Sequence, residues 1–144
     1  MKNEYEKDFY AWTVRNAKLI RYGKFSEVDV EHVAEEIECM GRSEKRELIN
    51  RLAVLMAHLL KWQFQTERRS RSWEDTIEEQ RISISDLLED NPSLKHEINN
   101  KIDHAYRLAV FTAARETGLN KVTFPLACVF TLEQCLDSRF FPEK

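Results

Sequence analysis

The segment from Glu44 to Phe64 carries a regular apolar stripe, and this stripe limits the fold more than any other feature of the chain. Its members alternate by intervals of four and three residues: Leu48, Leu52, Leu55, Leu59 and Trp62. Such spacing places all of them on one face of an α-helix. The stripe therefore predicts a central core helix, and we expect Leu52, Leu55, Met56 and Leu59 to be among its most buried residues.

Glycine and proline are scarce, with three of each in 144 residues. Because tight turns need these residues, the scarcity favours long helices over a sheet. Apolar spacing and capping residues predict five helices, at about 5–22, 28–40, 44–64, 73–88 and 94–117. Gly23, Gly41 and Gly118 are predicted to end the first, second and fifth helices, and Ser43, Ser72 and Ser93 to cap the third, fourth and fifth. In the second helix, the residues expected to face inward are Val30, Val33, Ala34 and Ile37.

The tail from 119 to 144 has an irregular apolar pattern around Pro125, and Thr131 with Gln134 fits the start of a short final helix. We expect this tail to pack along the helices. The sequence thus predicts an all-α fold, a compact bundle of about five helices with a partly extended C-terminal tail that ends in a short helix. A chain of this length fits a single domain, residues 1–144.

Composition excludes several classes of protein. A formal charge of −3 argues against broad, non-specific nucleic-acid binding. The three cysteines form no CxxC pair, so we expect reduced thiols and a cytoplasmic protein. The charged N-terminal residues predict no signal peptide. The longest apolar run, Leu52–Ala57, is far shorter than the roughly 20 residues that span a bilayer, so no membrane segment is expected.

Four phrases of the sequence occur in a recognisable order: EYEKDFYAW, EEIECMGRSEKREL, HLLKWQFQTERRSRSWEDTI and TFPLACVFTLEQCLD. Together they resemble the bacterial domain-of-unknown-function family numbered 29, over nearly the whole chain. The resemblance implies a compact helical bundle of bacterial type, often cyanobacterial or proteobacterial. It implies no agreed activity, substrate or catalytic residue, so no functional site is carried over.

The predicted second helix is acidic. Residues 27–38 contain six acids and no lysine or arginine, and Glu35-x-x-Glu38 places two carboxylates on one face. Carboxylates grouped on bundle helices can hold Mg²⁺ or Mn²⁺ for phosphate hydrolysis. Together with His58, these glutamates make a metal-dependent phosphohydrolase one alternative. A solvated helix face explains the same pattern more simply, and a hydrogen-bonded, partly buried His58 is commoner than a ligand. We therefore predict no tightly bound transition metal and no cofactor.

The segment after the core helix is basic and aromatic. Arg68, Arg69 and Arg71 lie between Trp62 and Trp73. Arginine forks bind phosphates and tryptophan faces stack on bases, so a nucleic-acid-binding accessory domain is a second alternative. We favour an internal role, in which the second helix folds back at Gly41 and at least one of the three arginines pairs with an acid of residues 27–38.

No nucleophile motif or glycine-rich phosphate loop is present, and no catalytic residue is assigned. The leading hypothesis is a non-enzymatic helical module that binds another protein or a second copy of itself. Its candidate functional surface comprises eight residues: Glu35, Glu38, His58, Trp62, Arg68, Arg69, Arg71 and Trp73.

Overall fold

The chain divides into two compact units, Met1–Ser43 and Glu44–Lys144. The computed structural model describes residues 3–143. Six α-helices follow in order: α1 (Glu4–Lys7), α2 (Phe9–Arg21), α3 (Val30–Phe64), α4 (Arg71–Asp90), α5 (Leu94–Thr117) and α6 (Leu132–Leu136). Residues 3–143 contain no β-strand, so the predicted all-α fold is confirmed. That the two units behave as one domain stays a prediction.

Helix α3 is continuous from Val30 to Phe64, so the prediction that Gly41 separates two helices is wrong. Glycine in a helix interior costs only about 1 kcal/mol relative to alanine. The flanking residues, largely Glu, Lys, Arg and Leu, are strong helix formers that outweigh this cost. Ser43 is consequently an interior residue of α3 and caps nothing.

The N-terminal unit has a small, polar and aromatic core. Trp12 is buried and donates its Nε1–H to Asp29 Oδ2 at 2.9 Å. The buried Asn16 accepts the main-chain N–H of Asp29 at 2.8 Å. His32 Nδ1 lies 2.7 Å from Asp29 Oδ2, and the His32 ring stacks on Tyr5 with centroids 3.9 Å apart. Asp29 therefore anchors the start of α3 to α2.

The helix predicted over residues 5–22 is interrupted at Asp8 but ends near the predicted residue. Residues 5–22 do not form the one helix predicted, because Asp8 leaves the helical conformation and accepts a hydrogen bond from Ala11 N, which caps α2. Gly23 has a φ of 71°, a left-handed conformation that ends α2 as predicted.

The C-terminal unit has an apolar core built on α3. Leu52, Leu55, Met56 and Leu59 are fully buried, which confirms the prediction from the apolar stripe. Residues from α4, α5 and the tail join the same core: Ile77, Ile84, Ala105, Ala109, Ala113, Phe124, Phe130, Leu132 and Cys135. The α5 alanines in this core, Ala105, Ala109 and Ala113, are fully buried. Phe124, Phe130 and Leu132 of the tail thus belong to the core of this unit, and packing of the whole tail along the bundle stays a prediction.

The caps of this unit are partly those predicted. Ser70, rather than Ser72, accepts the N–H of Trp73 and begins α4 at Arg71. Ser93 precedes α5 but makes no capping hydrogen bond. The capping box of Thr131 and Gln134 at α6 is present as predicted. None of the described helices combines the length and the hydropathy that crossing a bilayer would require.

Candidate functional site

The acidic residues on which the metal-dependent alternative depends lie on α3. Glu35 and Glu38 are exposed and belong to the N-terminal unit, whereas His58 belongs to the C-terminal unit. Between residues 3 and 143, no group of three or more His, Cys, Asp or Glu side chains is arranged to hold a metal ion. Asp29 and His32 contact one another, and they are also engaged by Trp12 and Tyr5, respectively. The geometry of the described residues therefore provides no set of metal ligands for the metal-dependent alternative.

His58 is half-buried on the core helix. Its Nδ1 lies 3.0 Å from the main-chain oxygen of Val54, one turn earlier. Burial lowers the pKa of His58, against the opposing effect of that hydrogen bond. The ring is therefore held as a neutral donor to Val54, which is the satisfied, partly buried histidine that the sequence favoured.

Two of the predicted basic and aromatic residues form a stack. Arg69 donates Nε–H to the main-chain oxygen of Trp62 at 2.8 Å, and its guanidinium lies 4.8 Å from the centroid of the Trp62 ring. Trp62 also packs on Phe141, with centroids 4.8 Å apart. Arg68 and Arg71 are exposed.

The predicted ion pair between one of these arginines and an acid of residues 27–38 is wrong. Across the described residues, Arg68, Arg69 and Arg71 form no ion pair. The pairing depended on a reversal of the chain at Gly41, and α3 is continuous there. Arg69 instead contacts the main-chain oxygen and the indole face of Trp62.

The ring of Trp73 is covered by Lys61. Lys61 is buried. Its Nζ lies 4.8 Å from the centroid of the Trp73 ring and 2.8 Å from Glu116 Oε1. The hydrogen bond from Lys61 is the main cause that lowers the pKa of Glu116. Arg69 thus covers one face of Trp62, and Lys61 covers one face of Trp73.

The C-terminal unit has a groove along α5 that is open to solvent. We define the α5 groove by the residues that line it: Phe64, Tyr106, Arg107, Val110, Phe111, Lys121, Val122, Thr123, Phe124, Pro125 and Leu126. Its volume is about 730 Å³, and it is open along one side. Val122 is 87% exposed and Leu126 is 99% exposed, so the groove presents apolar side chains directly to solvent.

The loop that forms one wall of the groove is held to α5. Tyr106 donates its hydroxyl hydrogen to the main-chain oxygen of Pro125 at 2.7 Å. Burial raises the pKa of Tyr106 to about 12, so this donor stays protonated at neutral pH. Phe124 packs edge-on against Phe64 at 5.4 Å between centroids. The exposed apolar residues are thus carried by a loop that is fixed at its centre.

The charge around the groove is of one sign. Arg107 and Lys121 are the charged residues among its lining, with no carboxylate. Lys121 Nζ lies 3.7 Å from the centroid of the Phe111 ring, a cation–π geometry. An adjoining depression shares Phe111 and Lys121 and adds Arg115, again with no acid in its lining. The α5 groove is therefore apolar inside and basic at its edges.

Sequence reasoning did not find this groove. Phe111 is two residues from Ala109, a core residue, and so points away from the alanine face of α5. The signal available in the sequence was a large aromatic residue, Phe111, on the outward face of α5. Val122 and Leu126 sit in the irregular tail, where no periodicity indicates which side chains are exposed.

The fold and the groove define an all-α protein without a metal-ligand cluster in its described residues and with an apolar, basic-edged surface. The chain belongs to the family described as domain of unknown function DUF29, which matches residues 4–141. The function of this family is unknown, in agreement with what the resemblance implied. No curated protein matches the chain, and no solved structure does.

Proposed function

We propose that this chain is a non-enzymatic protein-interaction module, and that its α5 groove binds an amphipathic helix that carries apolar and acidic side chains. The observation that carries the proposal is the almost complete exposure of Val122 and Leu126 beside Arg107 and Lys121. Exposed apolar patches rimmed by polar residues mark sites of interaction. The candidate residues from Glu35 to Trp73 remain outside this groove in the proposal.

A helix suits the groove better than a small molecule does. Small-molecule sites enclose most of their ligand, whereas the α5 groove is open along one side. Along α5, residues 106–115 extend about 13 Å at 1.5 Å per residue. A partner helix lying beside them would offer apolar side chains at i, i+4 and i+7, the spacing by which helices bind in grooves.

Apolar contacts would supply most of the affinity and charges most of the selectivity. Burying an exposed leucine or valine contributes about 1.5–3 kcal/mol, whereas an exposed ion pair contributes about 0.2–1 kcal/mol. Because association itself costs several kcal/mol, we expect a dissociation constant on the order of 10 µM. Acidic residues on the partner would be preferred because the groove lining holds two cations and no carboxylate.

Cytoplasmic and bacterial placement belongs to the same proposal. It is supported by the three free cysteines, of which Cys39 is exposed, since exposed free thiols suit a reducing compartment. The family resemblance supports the bacterial origin. Nucleic acid is a less favoured partner, because Arg69 is engaged with Trp62 and the formal charge of the chain is −3.

Fluorescence polarisation with a synthetic peptide tests the proposal. The peptide is a labelled helix of about four turns, with leucines at i, i+4, i+7 and i+11 and glutamates beside them. We expect saturable binding that weakens at high salt and falls at least about tenfold when Val122 and Leu126 are both changed to Gln. Ile82→Gln is the matched control, because Ile82 is 57% exposed on α4, outside the groove.

A second peptide, with lysine in place of every glutamate, tests the charge preference. Equal binding of the two peptides, or equal binding by the groove variant and the parent protein, would overturn the proposal. Absence of binding at concentrations of about 0.5 mM would overturn it as well.

A further inference from the structure

The N-terminal part of α3 exposes an apolar stripe. Val30, Ala34, Ile37 and Gly41 follow at i, i+4, i+7 and i+11, and we call these four residues the α3 stripe. Val30 is 63% exposed and Ile37 is 58% exposed, and Ala34 and Gly41 are also exposed. The sequence had predicted Val30, Ala34 and Ile37 to face inward.

The outward orientation of the α3 stripe has a local cause. Asp29 and His32, at the start of the helix, bond to one another, and Asp29 also accepts from Trp12. Tyr5 donates its hydroxyl hydrogen to Glu36. These polar contacts fix a different face of α3 against α1 and α2, so the stripe is left to solvent within the N-terminal unit.

Acidic side chains border the stripe. Glu31, Glu35 and Glu38 are exposed and, among the described residues, form no ion pair. Glu31, Glu35 and Glu38 are spaced by four and three residues and therefore share one side of the helix. At 3.6 residues per turn, that side adjoins the α3 stripe. The segment is therefore an amphipathic helix with apolar residues at groove-binding spacing and an acidic edge.

This helix has the chemistry that the α5 groove requires. Arg107 and Lys121 line the groove and Arg115 lies in the adjoining depression, with no carboxylate in either lining. We infer that the occupant of the groove is the α3 stripe of a second copy of this chain, an inference that rests on the proposed function. Three acids then meet three cations, while Val30 and Ile37 meet Val122 and Leu126.

In this contact, the stripe of one copy binds the groove of another. Each copy keeps one groove and one stripe, so the contact either closes reciprocally between two copies or continues through further copies. Self-association through this contact weakens as salt rises, because the paired charges stay near solvent.

Sedimentation of the full-length protein, alone and in mixtures, tests the inference. The groove variant carries Val122→Gln and Leu126→Gln, and the stripe variant carries Val30→Gln and Ile37→Gln. We expect the parent protein to associate between about 10 and 500 µM, and each variant alone to be monomeric. Mixed in equal amounts, the variants should form a dimer and nothing larger, because only one intact stripe and one intact groove remain.

A charge exchange provides a second, independent pair of variants. Arg107→Glu with Lys121→Glu should be monomeric, and so should Glu31→Lys with Glu35→Lys and Glu38→Lys. Mixing these two proteins opposes each reversed groove to a reversed stripe, so association should return. All substituted positions are exposed, and circular dichroism with thermal melting verifies that each variant is folded.

Three results would overturn the inference: a parent protein that is monomeric at about 0.5 mM, association that survives in both groove and stripe variants, or mixtures that remain monomeric. Peptide binding separates this failure from that of the proposed function. If the acidic peptide binds the groove while the parent protein stays monomeric, the partner is another protein and only the second-copy inference fails. If neither the peptide nor a second copy binds, both fail.

Discussion

The guanidinium of Arg81 on α4 donates its Nε–H to the main-chain oxygen of Cys135 at 2.7 Å. Its Nη2 also donates to the main-chain oxygen of Phe140 at 2.7 Å. Arg81 is only 4% exposed, and burial lowers its pKa, although a guanidinium remains protonated in proteins. A buried cation thus joins α4 to α6, at Cys135, and to Phe140 in the segment that follows α6.

Replacing Arg81 with lysine should destabilise the protein by about 2–4 kcal/mol, because an ammonium group cannot reproduce the planar fork and leaves at least one buried carbonyl unpaired. Urea unfolding measures the change in the free energy of unfolding. Arg71→Lys is the matched control, since Arg71 is exposed on the same helix and should change stability by less than about 0.5 kcal/mol. Equal effects at the two positions would contradict the role given to Arg81.

The apolar core could be predicted from the sequence, whereas the burial of Arg81 could not. Leu52 and Leu55 are buried because they lie on the apolar face of a helix. Intervals of three and four residues between apolar positions identify that face in the sequence. Arg81 is buried because carbonyls 54 and 59 positions later surround it. No local pattern encodes such partners, and a charged residue in a helix is usually exposed.

The α3 stripe illustrates a second limit. Val30 and Ile37 have the spacing of core residues, yet the polar contacts of Asp29 and Glu36 select another face for packing. Periodicity predicts that a helix is amphipathic, but not which partner its apolar face will find. The same limit applies to Gly41, where a glycine favours a helix end and strong helix formers on both sides prevent one.

Arg69 should contribute measurably to stability although it forms no ion pair in the described chain. Changing Arg69 to alanine removes the hydrogen bond to Trp62 O and the stack on its ring, and we expect a loss of about 0.5–2 kcal/mol. Arg68→Ala, at the exposed neighbouring position, is the control and should be close to neutral. Thermal or urea unfolding of both variants measures the difference, and equal stabilities would argue against an internal role for Arg69.

His58 should make stability depend on pH in a defined direction. Its pKa is lowered in the folded protein by burial, so the unfolded chain takes up a proton at a higher pH than the folded chain does. Stability is therefore unaffected above the unfolded pKa of about 6.5 and decreases as pH falls from there toward the lower folded value. His58→Asn should reduce the loss of stability between pH 7.5 and pH about 5, as measured by urea unfolding.

The control for His58 is His96→Asn, which changes an exposed histidine of α5 and should leave the loss of stability between the two pH values as large as in the parent protein. A parent protein that is as stable at the lower pH as at the higher would contradict the prediction, and so would a His58 variant that loses as much stability as the parent.

Lys61 and Glu116 join α3 to α5 by a partly buried ion pair, with Nζ and Oε1 2.8 Å apart. We expect a coupling energy of about 1–2 kcal/mol at pH 7 from a double-mutant cycle of Lys61→Met and Glu116→Gln. Methionine keeps an apolar stem against Trp73, so the cycle isolates the charge. The pKa of Glu116 is lowered in the folded state, so the coupling is fully present above the unfolded value and is lost as pH falls through the folded one.

An exposed pair between the same two helices is the matched comparison. Lys45 Nζ lies 2.8 Å from Glu97 Oε2, and the two side chains are 34% and 47% exposed, whereas that of Lys61 is 8% exposed. Solvent screens the Lys45–Glu97 pair, so its cycle should give less than about 1 kcal/mol, and salt should weaken it further. A coupling at Lys61–Glu116 no larger than at Lys45–Glu97 would mean that burial of Lys61 adds nothing to the pair, and that its packing on Trp73 alone accounts for its position.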